Sequence, residues 1–232
     1  IYSLDKNKIK LNKKIELKNI KFSYDNNQII FDQLNLVINQ ADKVFITGDS
    51  GVGKSTLAEI ICGIIDPSIG SIIVDGKILD QSKELLSCSY LPQKSFLLDD
   101  TIKKNIALGL KDDEIDQARI DILLDTVDLK EFVASLKFGI DTKVGELGNN
   151  LSGGQRQRIS LARALYFNPS ILILDEATNA LDEKLETLVL NNLSNFFKNT
   201  TMIIISHNMN VLKICDKVIK ISNGKIYIKK NN

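Results

Sequence analysis

Gly48-Asp49-Ser50-Gly51-Val52-Gly53-Lys54-Ser55 is the stretch on which the fold turns: a glycine, four residues, then Gly-Lys-Ser. The β-prone run Val44-Phe45-Ile46-Thr47 precedes it, and Leu57, Ile60, Ile61 and Ile64 follow at helical spacing over residues 55–65. The order is therefore strand, loop, helix, the context in which a phosphate-binding loop works. Gly48, Gly51 and Gly53 let the backbone curl until successive N–H groups point inward, and the helix N-terminus adds its partial positive charge. Lys54 would carry a cation to the β- and γ-phosphates of a nucleotide, the Ser55 hydroxyl is placed for Mg²⁺, and Thr56 is read as a further nucleotide contact.

Upstream of this loop, residues 15–17, 21–24, 34–38 and 43–46 are short β-prone stretches separated by Asn, Asp, Gly and Gln clusters, the pattern of strands joined by turns. Downstream, residues 101–138 read as helical from Ile102, Ile106, Ile115, Ile122, Leu123 and Val127 set among polar residues, and residues 155–165 do so again. Two apolar runs, residues 171–174 and 202–205, are separated by a helical stretch at 183–197. A strand, a helix and a strand at that spacing imply parallel pairing, because the crossover needs a dozen or more residues.

Ile171-Leu172-Ile173-Leu174 ends in Asp175-Glu176, two carboxylates at the carboxyl end of a buried strand, where parallel sheets place their ligands. Taken alone, such a pair is more often a helix N-cap. Behind a phosphate loop it reads as a metal ligand, Asp175, and a general base, Glu176, for the water attacking the γ-phosphate. Leu151-Ser152-Gly153-Gly154-Gln155 then offers a second cradle: Ser152 caps a helix, and two glycines let a ligand approach its N-terminus. One γ-phosphate does not need two cradles from one chain; if the two lie too far apart within a monomer, a two-fold dimer would let each chain's Ser152 loop close over its partner's nucleotide.

Together, residues 48–55, Leu151 to Gln155, residues 171–176 and His207 resemble the nucleotide-binding domain of an ABC transporter, over roughly residues 15–228. The resemblance implies an α/β fold: a P-loop NTPase (RecA-like) core with a parallel sheet, an N-terminal antiparallel β subdomain and an inserted α-helical subdomain at about residues 95–165. It implies ATP as substrate and Mg²⁺ as cofactor. It assigns Tyr24 to stacking on adenine, Gln93 to Mg²⁺, the attacking water and the membrane-domain contact, and Asp182 to communication across the dimer. His207, the sole histidine, is implied to contact the γ-phosphate. Val144-Gly145-Glu146 and Thr101 to Ile106 resemble exporter-type cassettes, with Glu146 at the membrane-domain contact. Asn179 stands where the family usually has Ser, and residues 75–93 are short for a multidrug exporter.

Thirty Lys and Arg against 29 Asp and Glu give a formal charge of +1, without the basic excess of a nucleic-acid binder. Cys62, Cys88 and Cys215 are odd in number and in no metal-ligand spacing, which fits a reducing compartment better than a disulfide scaffold. No apolar run reaches the roughly 18 residues of a membrane span. Residues 1–14, rich in Lys and Asn, read as a solvated linker from a preceding transmembrane domain, with residues 15–232 as the nucleotide-binding domain. The expected whole is a homodimeric half-transporter with its ATPase on the cytoplasmic face of the membrane, driving export or flipping. A separate importer ATPase and a soluble ATPase acting on nucleic acid or ribosomes are the alternatives.

Overall fold

The computed structural model describes residues 7–24 and 28–231, and these form two compact units. The first takes the described residues up to Tyr90, Pro169–Asp175 and those from Asn199 onward. In chain order it holds β1 (Asn7–Ile9), β2 (Lys14–Ser23), β3 (Ile29–Asn39), β4 (Lys43–Thr47), α1 (Lys54–Cys62), β5 (Ile69–Val74), β6 (Lys77–Ile78), β7 (Glu84–Leu86), β8 (Cys88–Leu91, reaching the unit's border), β9 (Ile171–Asp175), β10 (Thr201–Ile205), β11 (Lys217–Ser222) and β12 (Lys225–Lys230).

Six strands pair in the order β12-β11-β4-β10-β9-β8, with β11, β4, β10 and β9 parallel and β12 antiparallel to β11. Every residue of β9 and β10 is buried, which is why both read as unbroken apolar runs. Against this sheet α1 packs Leu57, Ile60 and Ile61, all fully buried beside Ile173 and Ile203. The helix ends at Cys62, short of the predicted residue 65, because Gly63 adopts φ 69° and donates its N–H back to Glu59 O and Ile60 O. Ile64, expected on the buried face, is 46% exposed.

A separate antiparallel sheet has the order β3-β2-β5-β6. Along β2, Ile15 and Leu17 face the core, and then Ile20 and Phe22 do, a change of parity that strict alternation forbids. Irregularity in both ladders between residues 17 and 21, with Asn19 at φ 52°, absorbs the extra residue. The hairpin β11–β12 was not foreseen, although Asn223-Gly224, at φ 49° and 70°, is a turn signal readable in the sequence.

Two expectations for this unit need correction. The first six residues of the leading segment lie outside the described residues, but Asn7–Ile9 pair in parallel with Glu84–Leu86, and Leu11 is only 2% exposed. Asp75 fastens this segment: its carboxylate accepts from the backbone N–H groups of Asn12, Lys13 and Lys14, at 2.9, 2.7 and 3.0 Å. Burial pushes that carboxyl up, and the donors outweigh it, so the net displacement is below the usual carboxylate value. The resulting stabilisation is complete above the ordinary carboxylate range and is lost as pH falls through Asp75's own lower value. Asp75→Asn should therefore lower stability at neutral pH by about 1–2 kcal/mol, and the deficit should shrink on acidification in urea melts run from pH 7 downward. Equal midpoints at pH 7 would refute the clasp.

The cysteines depart from the all-thiol set expected of a reducing compartment. Cys62, at the end of α1, and Cys88, at the start of β8, form a disulfide with Cα atoms 5.6 Å apart, and Cys215 is the free, buried cysteine.

The second unit comprises Leu91–Asn168 and Glu176–Lys198 and is helical. It holds α2 (Ile102–Ile106), α3 (Gln117–Thr126), α4 (Lys130–Ser135), α5 (Gly153–Tyr166) and α6 (Glu183–Phe196). Residues 101–138 thus form short helices and not one run. Gly109 at φ 87° and Asp128 at φ 56° turn the chain, and Asp116 caps α3 by accepting from Arg119 N–H at 3.1 Å. Asn105 and Arg163 tie α2 to α5: the buried Asn105 carbonyl oxygens, side chain and backbone, both accept from the Arg163 guanidinium at 2.7 Å.

Candidate nucleotide site

In the first unit, β4, β10 and β9 are adjacent and parallel, so the loops that follow them leave one edge of the sheet. Residues 48–53 follow β4, His207 follows β10, and Asp175 ends β9. Topology alone therefore brings together three of the predicted features.

Gly53 is the N-cap of α1 at φ 101°, and a Cβ there would lie 2.6 Å from Ile30 Cγ2 and 2.9 Å from Phe31 Cζ, so the position admits only glycine. The first turn of α1 has no side-chain cap and no acidic residue, which leaves its N–H groups and dipole for an anion. Lys54 Nζ donates to the carbonyl oxygens of Gly48 and Asp49, both at 2.8 Å, and so lies curled over the loop formed with Ser50, Gly51 and Val52. Ser55 is exposed, whereas Thr56 is buried and its hydroxyl pairs with the Tyr24 hydroxyl at 3.0 Å. The Tyr24 ring stands edge-on to Phe22 at 5.0 Å between centroids and is 59% exposed, which leaves a face for a flat ligand.

Asp175 is only 6% exposed and accepts a hydrogen bond from the Tyr90 hydroxyl at 2.8 Å. Burial, and then this charged acceptor, push the Tyr90 phenol far above its usual value, so it stays a donor at all working pH. No spacing in the sequence marks Tyr90; its role follows from β8 ending the sheet beside β9. His207 is exposed, directly after the buried Ser206.

A nearly buried carboxylate on Asp175 and a hydroxyl on Ser55 are hard oxygen donors, too few to cage an ion, which suits Mg²⁺ held jointly by protein and nucleotide phosphates. Among the described residues no group of three or more His, Cys, Asp or Glu could hold a metal unaided.

In the second unit, Glu176 sits at φ 50°, a left-handed conformation uncommon outside glycine, which turns the chain sharply after Asp175. Its Oε2 accepts from Gln93 Nε2 at 2.8 Å and from Asn179 Nδ2 at 3.1 Å. The Asp175-Glu176 pair is not a helix cap, since the N-cap of α6 is Asp182, whose carboxylate accepts from the N–H groups of Lys184 and Leu185. Asp182 thus has a structural task within the chain besides the one the resemblance implies.

Ser152 is the N-cap of α5: its hydroxyl accepts from Gln155 N–H at 3.2 Å, and Gln155 Oε1 accepts from Ser152 N–H at 2.8 Å. Leu151 is buried, anchoring the motif, and Arg156 donates to its carbonyl oxygen at 2.7 Å. Gly154 has a packing reason as well: an added Cβ there would meet Leu181 Cδ2 at 3.2 Å and Ala180 O at 3.3 Å. Glu146 is exposed and opens a 3₁₀ turn, followed by Leu147, 62% exposed.

Residues 31–179 match the family described as ABC transporter. The chain is 39% identical over 216 residues to the alpha-hemolysin translocation ATP-binding protein HlyB of Escherichia coli O157:H7, covering 91% of this chain and 30% of that protein. It is 38% identical over 216 residues to the ATP-dependent lipid A-core flippase of Haemophilus ducreyi, covering 91% of this chain and 37% of that one. Among solved structures, a bacterial Atm1-family ABC exporter with ATP bound is similar at TM-score 0.88 and 32% identity, over 99% of this chain and 41% of that chain. The chain therefore spans well under half the length of these relatives. With the phosphate loop, the capped Ser152 helix and the buried Asp175 all present on the P-loop fold, the chain belongs to the ABC transporter family as its ATP-binding, ATP-hydrolysing domain.

Proposed function

We propose that this domain is the motor of a membrane exporter or flippase and works as a homodimer. Two copies associate head to tail round two ATP molecules, each Ser152 loop closing over the nucleotide held by the partner's residues 48–56. The observation that carries this reading is the second cradle itself: a helix N-terminus with a Ser–Gln capping box and two glycines, in addition to the uncapped N-terminus of α1. Export or flipping is supported by the printed names of the relatives, which speak of translocation, of flipping and of an exporter.

Ser55 and Asp175, with Gln93, would hold Mg²⁺, which when bound offsets charge on the phosphates. Lys54 and the N–H groups of residues 48–53 bind and orient the phosphates, and Tyr24 offers a ring to adenine. Glu176 takes the proton of the attacking water, and His207 contacts the γ-phosphate. Asp182 communicates between the two copies. Gln93 and Glu146 meet a membrane domain on its cytoplasmic side, and that domain, fused N-terminally, selects the cargo. No helix among the described residues is long and apolar enough to cross a membrane, so the crossing belongs to that other part. Nucleic acid is not a partner in this reading.

The dimer is tested with Gly154→Asp. This change sets a carboxylate at the N-terminus of α5, where it repels phosphate. In a Glu176→Gln background, MgATP should double the mass measured by light scattering, and adding Gly154→Asp should leave a monomer that still binds nucleotide and unfolds cooperatively. A dimer that persists with Gly154→Asp would refute the second cradle.

A further inference from the structure

Glu176 has two amide donors on a single oxygen, and one of them comes from a residue to which the proposed mechanism gives no role. Gln93 Nε2 and Asn179 Nδ2 both donate to Glu176 Oε2, at 2.8 and 3.1 Å. A carboxylate is acceptor-only, so each amide must turn its NH₂ toward it, which fixes the orientation of both side chains. Neither of these two donors carries charge, so what they supply to the carboxylate is direction.

Asn179 is presented by a turn held at several points. Asn179 N–H donates to Glu176 O at 3.3 Å, and Leu181 N–H donates to Thr178 O at 2.9 Å. The Thr178 hydroxyl donates to the buried Glu186 on α6, and Ala180 N–H donates to Gln157 Oε1 on α5 at 3.0 Å. A donor on a fixed turn defines a direction, whereas one on a mobile loop would merely follow the carboxylate.

We infer that Asn179 is a positioning residue for Glu176: with Gln93 it holds one carboxylate oxygen and so sets the orientation of the carboxylate toward the attacking water. The inference rests on Glu176 being the general base. A serine at 179 brings a shorter side chain with one hydroxyl donor, alanine brings none, and aspartate brings a like charge.

The test is ATP turnover, with equilibrium MgATP binding and melting temperature, for wild type, Asn179→Ser, Asn179→Ala, Asn179→Asp and Glu176→Gln. A hydrogen bond to a charged group sets the scale, so Asn179→Ala should lower kcat on the order of tenfold, with KM, MgATP affinity and melting temperature little changed. Asn179→Ser should recover part of the loss, and Asn179→Asp should fall below Asn179→Ala. In a crystal of the nucleotide-free Asn179→Ala chain, the Glu176 carboxylate should leave the place it holds beside Gln93. If Glu176→Gln abolishes turnover while Asn179→Ala keeps the wild-type kcat, Asn179 has no such role and the base stands. Turnover intact in Glu176→Gln would remove the base and this inference with it. A kcat loss in Asn179→Ala that travels with weaker binding and a lower melting temperature would mean the turn is merely structural, and the inference would fall.

Discussion

Replacing Glu176 by Gln should cut steady-state ATP turnover by about a hundredfold or more, the span that a general base contributes, while nucleotide binding survives. The substitution is nearly isosteric. Its carbonyl oxygen still accepts from Gln93 and Asn179, so the donors around position 176 keep a partner and the turn at residues 176–181 is not disturbed. What disappears is the capacity to take a proton from water. Binding without turnover should then accumulate the closed state, and light scattering in MgATP should register a dimer that dissipates in wild type. Turnover retained by a monomeric variant would mean that neither the base nor the closing mechanism is as proposed.

Lys54→Ala should weaken MgATP binding on the order of tenfold to a hundredfold, the range of a charge-assisted hydrogen bond lost from a phosphate site. Lys54 Nζ donates to the carbonyl oxygens of the half-buried Gly48 and the exposed Asp49, where water can take over as donor. The fold should therefore tolerate the change, and the deficit should appear in titration calorimetry and not in the nucleotide-free melting curve. An affinity within twofold of wild type would overturn the assignment of residues 48–55 to phosphate.

The loop that decides the fold was legible because its residues are constrained locally: Gly53 must be glycine, and α1 must begin where the nest ends. β9 and β10 were legible because a strand buried on both faces leaves no alternation to misread. Other features failed where the decisive contact is remote in sequence. Leu11 looked like part of a solvated tail until β1 paired with β7, and Cys62 and Cys88 are 26 residues apart with nothing in their spacing to announce the bond. In the site, Tyr90 meets Asp175 across 85 positions, and Asn179 was visible only as a departure from a pattern, not as a donor to Glu176. Gly63, by contrast, was a helix stop available to a stricter reading, as was Asn223-Gly224 for the last hairpin.

β12 closes the six-stranded sheet with hydrogen bonds to β11 on one side only, and its exposed residues include Lys225, Lys229 and Lys230. Were two copies to join their sheets there about a two-fold axis, strands about 4.8 Å apart would bring these ammonium groups well within the Debye length of about 8 Å. The open border is thus guarded by its own repulsion, as edge strands of soluble proteins commonly are. Sheet extension, the default route by which an edge strand recruits a neighbour, is disfavoured for this chain.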